Sequence, residues 1–125
     1  MDSQNYLSKL SDGLAIGGIQ DTIRALNERH IDRLLVCATL ETSPGWQCLE
    51  CAALYLGIDA KPERCSYCGS RKVHMADVKS QMIAQAYHHG CCIEIMSRCP
   101  ELEQYGGVGA LLTEKASGGG LQRAA

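Results

Sequence analysis

Two Cys-x-x-Cys pairs, Cys48-Leu49-Glu50-Cys51 and Cys65-Ser66-Tyr67-Cys68, have thirteen residues between them, and no other stretch limits the fold of this chain as strongly. Each pair can turn two thiolates toward one point. Zn²⁺ has no geometric preference of its own and is satisfied by four thiolates in a tetrahedron, so the two pairs have the layout of a zinc ribbon. Gly69 suits a turn that aims N–H groups at sulfur, because glycine tolerates the positive φ such a turn demands. A redox dithiol with Trp46 beside the first pair is the competing reading, but it needs one pair and leaves the second unexplained. Four thiolates leave no open coordination position, so Cys48, Cys51, Cys65 and Cys68 are expected to hold one structural Zn²⁺, not a catalytic one.

The remaining cysteines bear on compartment. Eight in 125 residues can signal a secreted disulfide scaffold, yet no charged start followed by an apolar run precedes them, so the thiols are expected to be reduced and cytoplasmic. Cys37, Cys91, Cys92 and Cys99 sit among apolar neighbours and read as small hydrophobes, with a redox role for the adjacent Cys91-Cys92 pair as the alternative. No stretch reaches the length of a membrane span. A net charge of −2 excludes a surface that attracts nucleic acid as a whole, while leaving room for a local basic patch. The hydrophobic share of 46% suffices for one core. The expected organisation is one domain over residues 1–116, an inserted zinc minidomain over 44–74 that hangs from it as an appendage, and a flexible tail over 117–125.

Along the chain, Tyr6, Leu7 and Leu10 recur at helical spacing until Asp12-Gly13 breaks the pattern. From Gly17 to Arg29, Ile19, Ile23 and Leu26 share a face, with Asp21 and Arg29 placed to suit the helix dipole. Ile31 and Leu34-Leu35-Val36-Cys37 read as a strand buried on both faces of a parallel or mixed sheet, and a helix feeding such a strand predicts α/β architecture. Ser43-Pro44-Gly45 then turns the chain into a hairpin-rich metal stretch that ends near His74.

Asp77 is the expected N-cap of a further helix that buries Val78, Met82, Ile83 and Ala86 and stops at Gly90. His88 and His89 in its last turn read as cations at the negative helix end, against a ligand role. Cys92 to Met96 predicts a strand, Pro100 to Tyr105 a short helix, and Val108 to Leu112 a final buried strand.

This order of elements resembles the C-terminal domain of the archaeal and eukaryotic class I release factor and Pelota family. Three segments carry the resemblance: Gly13 to Gly18 with Ala25-Leu26 and Ile31 to Val36; the cysteine pairs ending in Cys65-Ser66-Tyr67-Cys68-Gly69; and Ile93-Glu94-Ile95 with Leu102 and Gly106 to Leu112. After Leu112 the chain departs from the family, with Thr113-Glu114-Lys115 where a Leu-Arg-Tyr run is common.

The resemblance implies a three-layer α/β/α sandwich of the ribosomal L7Ae/L30e type with an inserted zinc ribbon. It also implies a non-catalytic docking domain that binds a translational GTPase and the ribosome during termination or rescue. The family's Gly-Gly-Gln motif is absent, since Gly118-Gly119-Gly120-Leu121-Gln122 lacks the required adjacency, and no small-molecule substrate is expected. The partner surface is expected at Tyr105, Gly106, Gly107, Val108 and Gly109, where glycines leave the backbone open and Tyr105 offers rigid bulk. The alternative is binding of kink-turn RNA, because Gly18, Gln20, Asp21 and Arg24 stand where that fold's RNA binders carry Gly-Ala-Asn-Glu and a lysine.

Overall fold

A computed structural model describes residues 3–41, 43–57, 61–97 and 100–113. Cys99 and the expected tail over 117–125 lie outside them.

The main sheet has the order β1-β7-β2-β6: β1 is Ala15–Gly17, β2 Ile31–Cys37, β6 Cys92–Met96 and β7 Val108–Leu112. Strand β2 pairs parallel with β6 and antiparallel with β7, which makes the sheet mixed. Alternate residues of β2 face opposite layers. Leu34 and Val36 join a cluster with Ile23 and Leu26 of α2 (Ile19–Asn27) and Val78, Met82 and Ala86 of α3 (Val78–His88). Leu35 and Cys37 join Tyr6 of α1 (Ser3–Ser11) and Leu102 of α4 (Pro100–Glu103) on the other side. Helices therefore cover both faces, and the chain forms the three-layer α/β/α arrangement that a doubly buried strand requires.

A second, antiparallel sheet of order β4-β3-β5 interrupts this frame: β3 is Pro44–Cys48, β4 Leu54–Leu56 and β5 Val73–Asp77. It carries the cysteine pairs and runs past residue 74 into α3, where the Asp77 carboxylate accepts from the Ser80 N–H at 3.1 Å as the expected N-cap. This sheet is not insulated from the sandwich. Leu54 is 1% exposed and belongs to the cluster of α2 and α3. Burying a leucine contributes about 2 kcal/mol, and here that stabilisation is shared between insert and host.

Three local readings change. Strand β1 was not expected; at three residues it is too short to show alternation, and it exists by pairing Ala15, Ile16 and Gly17 with Leu111, Ala110 and Gly109. Helix α2 is shorter than the expected 17–29, because Arg29 takes a left-handed φ of 62° that ends it. His89 is less favoured as a helix-end cation than its place suggests: burial lowers its pKa first, and the neighbouring Arg29 and His88 lower it further.

Candidate metal centre

The short spans of the two pairs force a tight turn on each side of one point, and the second sheet brings the turns face to face. The first leaves the end of β3 and the second lies between β4 and β5. Cys48 Sγ stands 3.5 Å from Cys68 Sγ, Cys51 Sγ stands 3.4 Å from Cys65 Sγ, and all four sulfurs lie within 4.8 Å of one another. Sulfurs bound to Zn²⁺ at about 2.3 Å in a tetrahedron stand about 3.8 Å apart, so this spacing fits that ion. Cys48 and Cys65 are buried while Cys68 is exposed.

Backbone N–H groups serve the sulfurs in the same register in both turns. Glu50 N–H donates to Cys48 Sγ at 3.3 Å and Tyr67 N–H to Cys65 Sγ at 3.4 Å. Ala53 and Ser70 N–H groups do the same for Cys51 and Cys68. Each of these donors lies two residues past its cysteine, and within each pair the N–H of the second cysteine also donates to the sulfur of the first. On Cys65, burial raises the thiol pKa, but bonds from the Tyr55 hydroxyl and from the Tyr67 and Cys68 N–H groups outweigh it and bring it to about 6. On Cys51 burial prevails and pushes the thiol up to about 12.

The residues that hold these turns in place were not singled out in the sequence. Gln85, buried on α3, donates its amide to Ala52 O at 2.8 Å, and Gln47 of β3 donates to the same oxygen at 3.2 Å. Asn27 at the end of α2 bonds the backbone of Leu54 both ways, Nδ2 to O and Oδ1 from N–H, each at 2.9 Å. A polar residue on the inward stripe of a helix was the available signal, since a buried amide must find a partner.

The expected partner surface divides into an exposed and a buried part. Tyr105 is 41% exposed and Gly106 is exposed, whereas Gly107, Val108 and Gly109 are buried. A Cβ on Gly109 would stand 2.6 Å from Ile16 O, so this glycine admits β1 to the sheet and presents nothing outward. The Tyr105 ring lies across Gly17, where a Cβ would meet its Cγ at 2.5 Å. Of the residues expected for the RNA alternative, Gln20, Asp21 and Arg24 are exposed along α2, and Arg24 lies 4.0 Å from Asp21. The two surfaces meet where Gly18 N–H donates to Val108 O at 2.9 Å. Gln20 and Arg24 also line a groove, with Asn27, Tyr55, Ser66 and Tyr67, between α2 and the second cysteine turn.

No protein-family model matches the sequence, and neither does any curated protein. Solved structures do. The C-terminal domain of Peptide Chain Release Factor from Methanosarcina mazei aligns with a TM-score of 0.62 at 17% identity, covering 91% of this chain and 80% of that one. The Thermoplasma acidophilum Pelota protein aligns with a TM-score of 0.53 at 12% identity over 91% of this chain, which spans only 27% of that protein. The chain thus has the fold of the release-factor C-terminal domain.

Proposed function

We propose that this chain is a non-catalytic docking domain of a translation termination or ribosome-rescue factor, working in the cytoplasm and binding a translational GTPase and the ribosome. The observation that carries this reading is the likeness to a release-factor C-terminal domain over 91% of the chain. Cys48, Cys51, Cys65 and Cys68 would hold one Zn²⁺, whose chemistry here is that of a cross-link, because four thiolates leave no position for substrate.

Docking centres on the exposed part of the Gly-rich segment, Tyr105 and Gly106, which the buried residues Gly107, Val108 and Gly109 hold against the sheet. A tyrosine seated over a glycine offers rigid aromatic area at little entropic cost, the property that interface hot spots favour. No helix among the described residues is long and apolar enough to cross a membrane.

The test is binding of a class II release factor type GTPase to the zinc-loaded chain. Tyr105→Ala should weaken it by about 2 kcal/mol with the fold intact. Lost stability with unchanged affinity of the folded fraction would return Tyr105 to a packing role. If binding to the native partner collapses between low and physiological salt, and Arg24→Ala abolishes it while Tyr105→Ala does not, the working surface is the α2 face with Gly18, Gln20 and Asp21, and the partner is RNA.

A further inference from the structure

Tyr55 lies in the middle of β4, between Leu54 in the main core and Leu56, and its half-buried ring packs against the cysteine cluster. Its hydroxyl oxygen stands 3.2 Å from Cys65 Sγ, 2.9 Å from the Ser66 N and 3.0 Å from Ser66 Oγ. A phenol has one proton to give and can accept two. The Ser66 N–H can only donate, so it takes one of the oxygen's accepting positions. The proton is best spent on the sulfur, since a hydrogen bond to an ionised acceptor is about twice as strong as one between neutral groups. Ser66 Oγ–H then fills the second accepting position, and every donor and acceptor of this group is matched.

We propose that Tyr55 is a positioning residue of the metal centre, whose hydroxyl donates to Cys65 Sγ and thereby holds the second cysteine turn in place for Zn²⁺. This rests on the reading of the four cysteines as a zinc site. The two turns are otherwise equivalent in their backbone donors, but they are anchored differently. The first is tied to β3 and α3 through Gln47 and Gln85 on Ala52 O. The second carries the exposed Cys68 and Tyr67, and Tyr55 is the side chain that reaches it from the strand next to the core. Partners of this kind around a metal's ligands commonly account for ten- to a hundredfold in affinity.

The experiment compares Tyr55→Phe, which keeps the ring, with Tyr67→Phe, which alters an exposed tyrosine of the same turn. Zinc affinity is read by competition with a chromophoric chelator, with far-UV circular dichroism as the check on folding. Tyr55→Phe should bind zinc about ten- to a hundredfold more weakly, and Tyr67→Phe should match the wild type. In the cobalt-substituted protein the thiolate-to-metal charge-transfer band should move to lower energy in Tyr55→Phe, because a thiolate relieved of a hydrogen bond gives up its electron more readily. A purely packing role for the ring would leave that band in place. Wild-type protein loaded with an NMR-active cadmium isotope should show the Tyr55 hydroxyl proton coupled to the metal across Cys65 Sγ, a reading that holds even if the variant fails to fold. Unchanged affinity with an unmoved band, an equal loss in Tyr67→Phe, or the absence of that coupling overturns the proposal while leaving the zinc site standing. Wild-type protein that binds no metal overturns the site, and this inference with it.

Discussion

Ala52 and Gly69 occupy the same place in the two cysteine turns, each one residue past the second cysteine of its pair and each in left-handed backbone, with φ of 69° and 79°. Glycine takes that conformation freely, whereas an alanine pays about 1 kcal/mol for it. The Gln47 and Gln85 amides on the Ala52 carbonyl hold the strained residue in place. Ala52→Gly should therefore stabilise the zinc-loaded protein by about 1 kcal/mol, measured by urea unfolding. Gly69→Ala should destabilise it by a similar amount, and since no atom lies within 4 Å of the added Cβ, that cost is conformational alone.

Asn27 stands in for a strand neighbour on β4. Its side chain satisfies both backbone groups of Leu54, a residue only 1% exposed. Asn27→Ala would leave a buried N–H and C=O unpaired, at about 1 to 3 kcal/mol for each group. We expect a loss of at least about 2 kcal/mol in urea unfolding, and Asn27→Leu should not recover it, because volume is not what is missing.

Zinc removal should be felt beyond the insert. An independent appendage would melt on chelation and leave the sandwich untouched, which is what the sequence leads one to expect. The packing of Leu54 among Leu26, Val78 and Met82 argues against that, since the main core loses one of its walls when β4 comes loose. Calorimetry with and without chelator should show the principal transition shifting to lower temperature, and an unshifted transition would restore the appendage view.

Metal affinity should fall as pH falls. In the metal-free protein Cys51 holds its proton near neutrality, with a pKa pushed up to about 12 chiefly by burial. Cys68 is also raised: the Ser70 N–H bond lowers it, but burial and the bond with Cys48 act the other way. Zinc binds thiolates, so loading near pH 7 must expel at least these two protons, and affinity should drop roughly a hundredfold per unit of pH. The Cys65 thiol, at about 6, is already ionised near neutrality; below that value it too carries a proton in the free state, and the slope should steepen. Zinc competition titrations across this range check both the sign and the break.

The cysteine spacing announced the centre because ligand chemistry leaves few alternatives, and the apolar runs at Leu34 to Cys37 and Val108 to Leu112 announced buried strands for the same reason. Asn27, Gln47, Tyr55 and Gln85 stayed hidden. A polar residue in a sequence looks alike whether water or a backbone carbonyl satisfies it, and only the fold brings Gln85 to Ala52 O, more than thirty positions away. Gly109 has a use the sequence does not show: the missing side chain suggests an opening for a partner, and that opening is filled from within by β1 and Tyr6. The link between insert and core was equally unreadable, because Leu54 carries no mark of which cluster it joins.

In the main sheet β7 lies between β1 and β2, although it is the last of the described strands along the chain. The two earliest strands are therefore not neighbours, and neither has its antiparallel partner until β7 arrives. The parallel neighbour of β2 comes late as well, because the connection from Cys37 to Cys92 carries the whole second sheet and α3. Long-range closure of this kind slows folding, whereas β3 and β4 pair across a short connection and β5 joins β3 over a shorter stretch of chain than β6 must cross to reach β2. The order of assembly thus inverts the apparent hierarchy of the molecule: the small metal-bearing sheet can form first, and by drawing in the connection between Cys37 and Cys92 it shortens the search that β6 must complete.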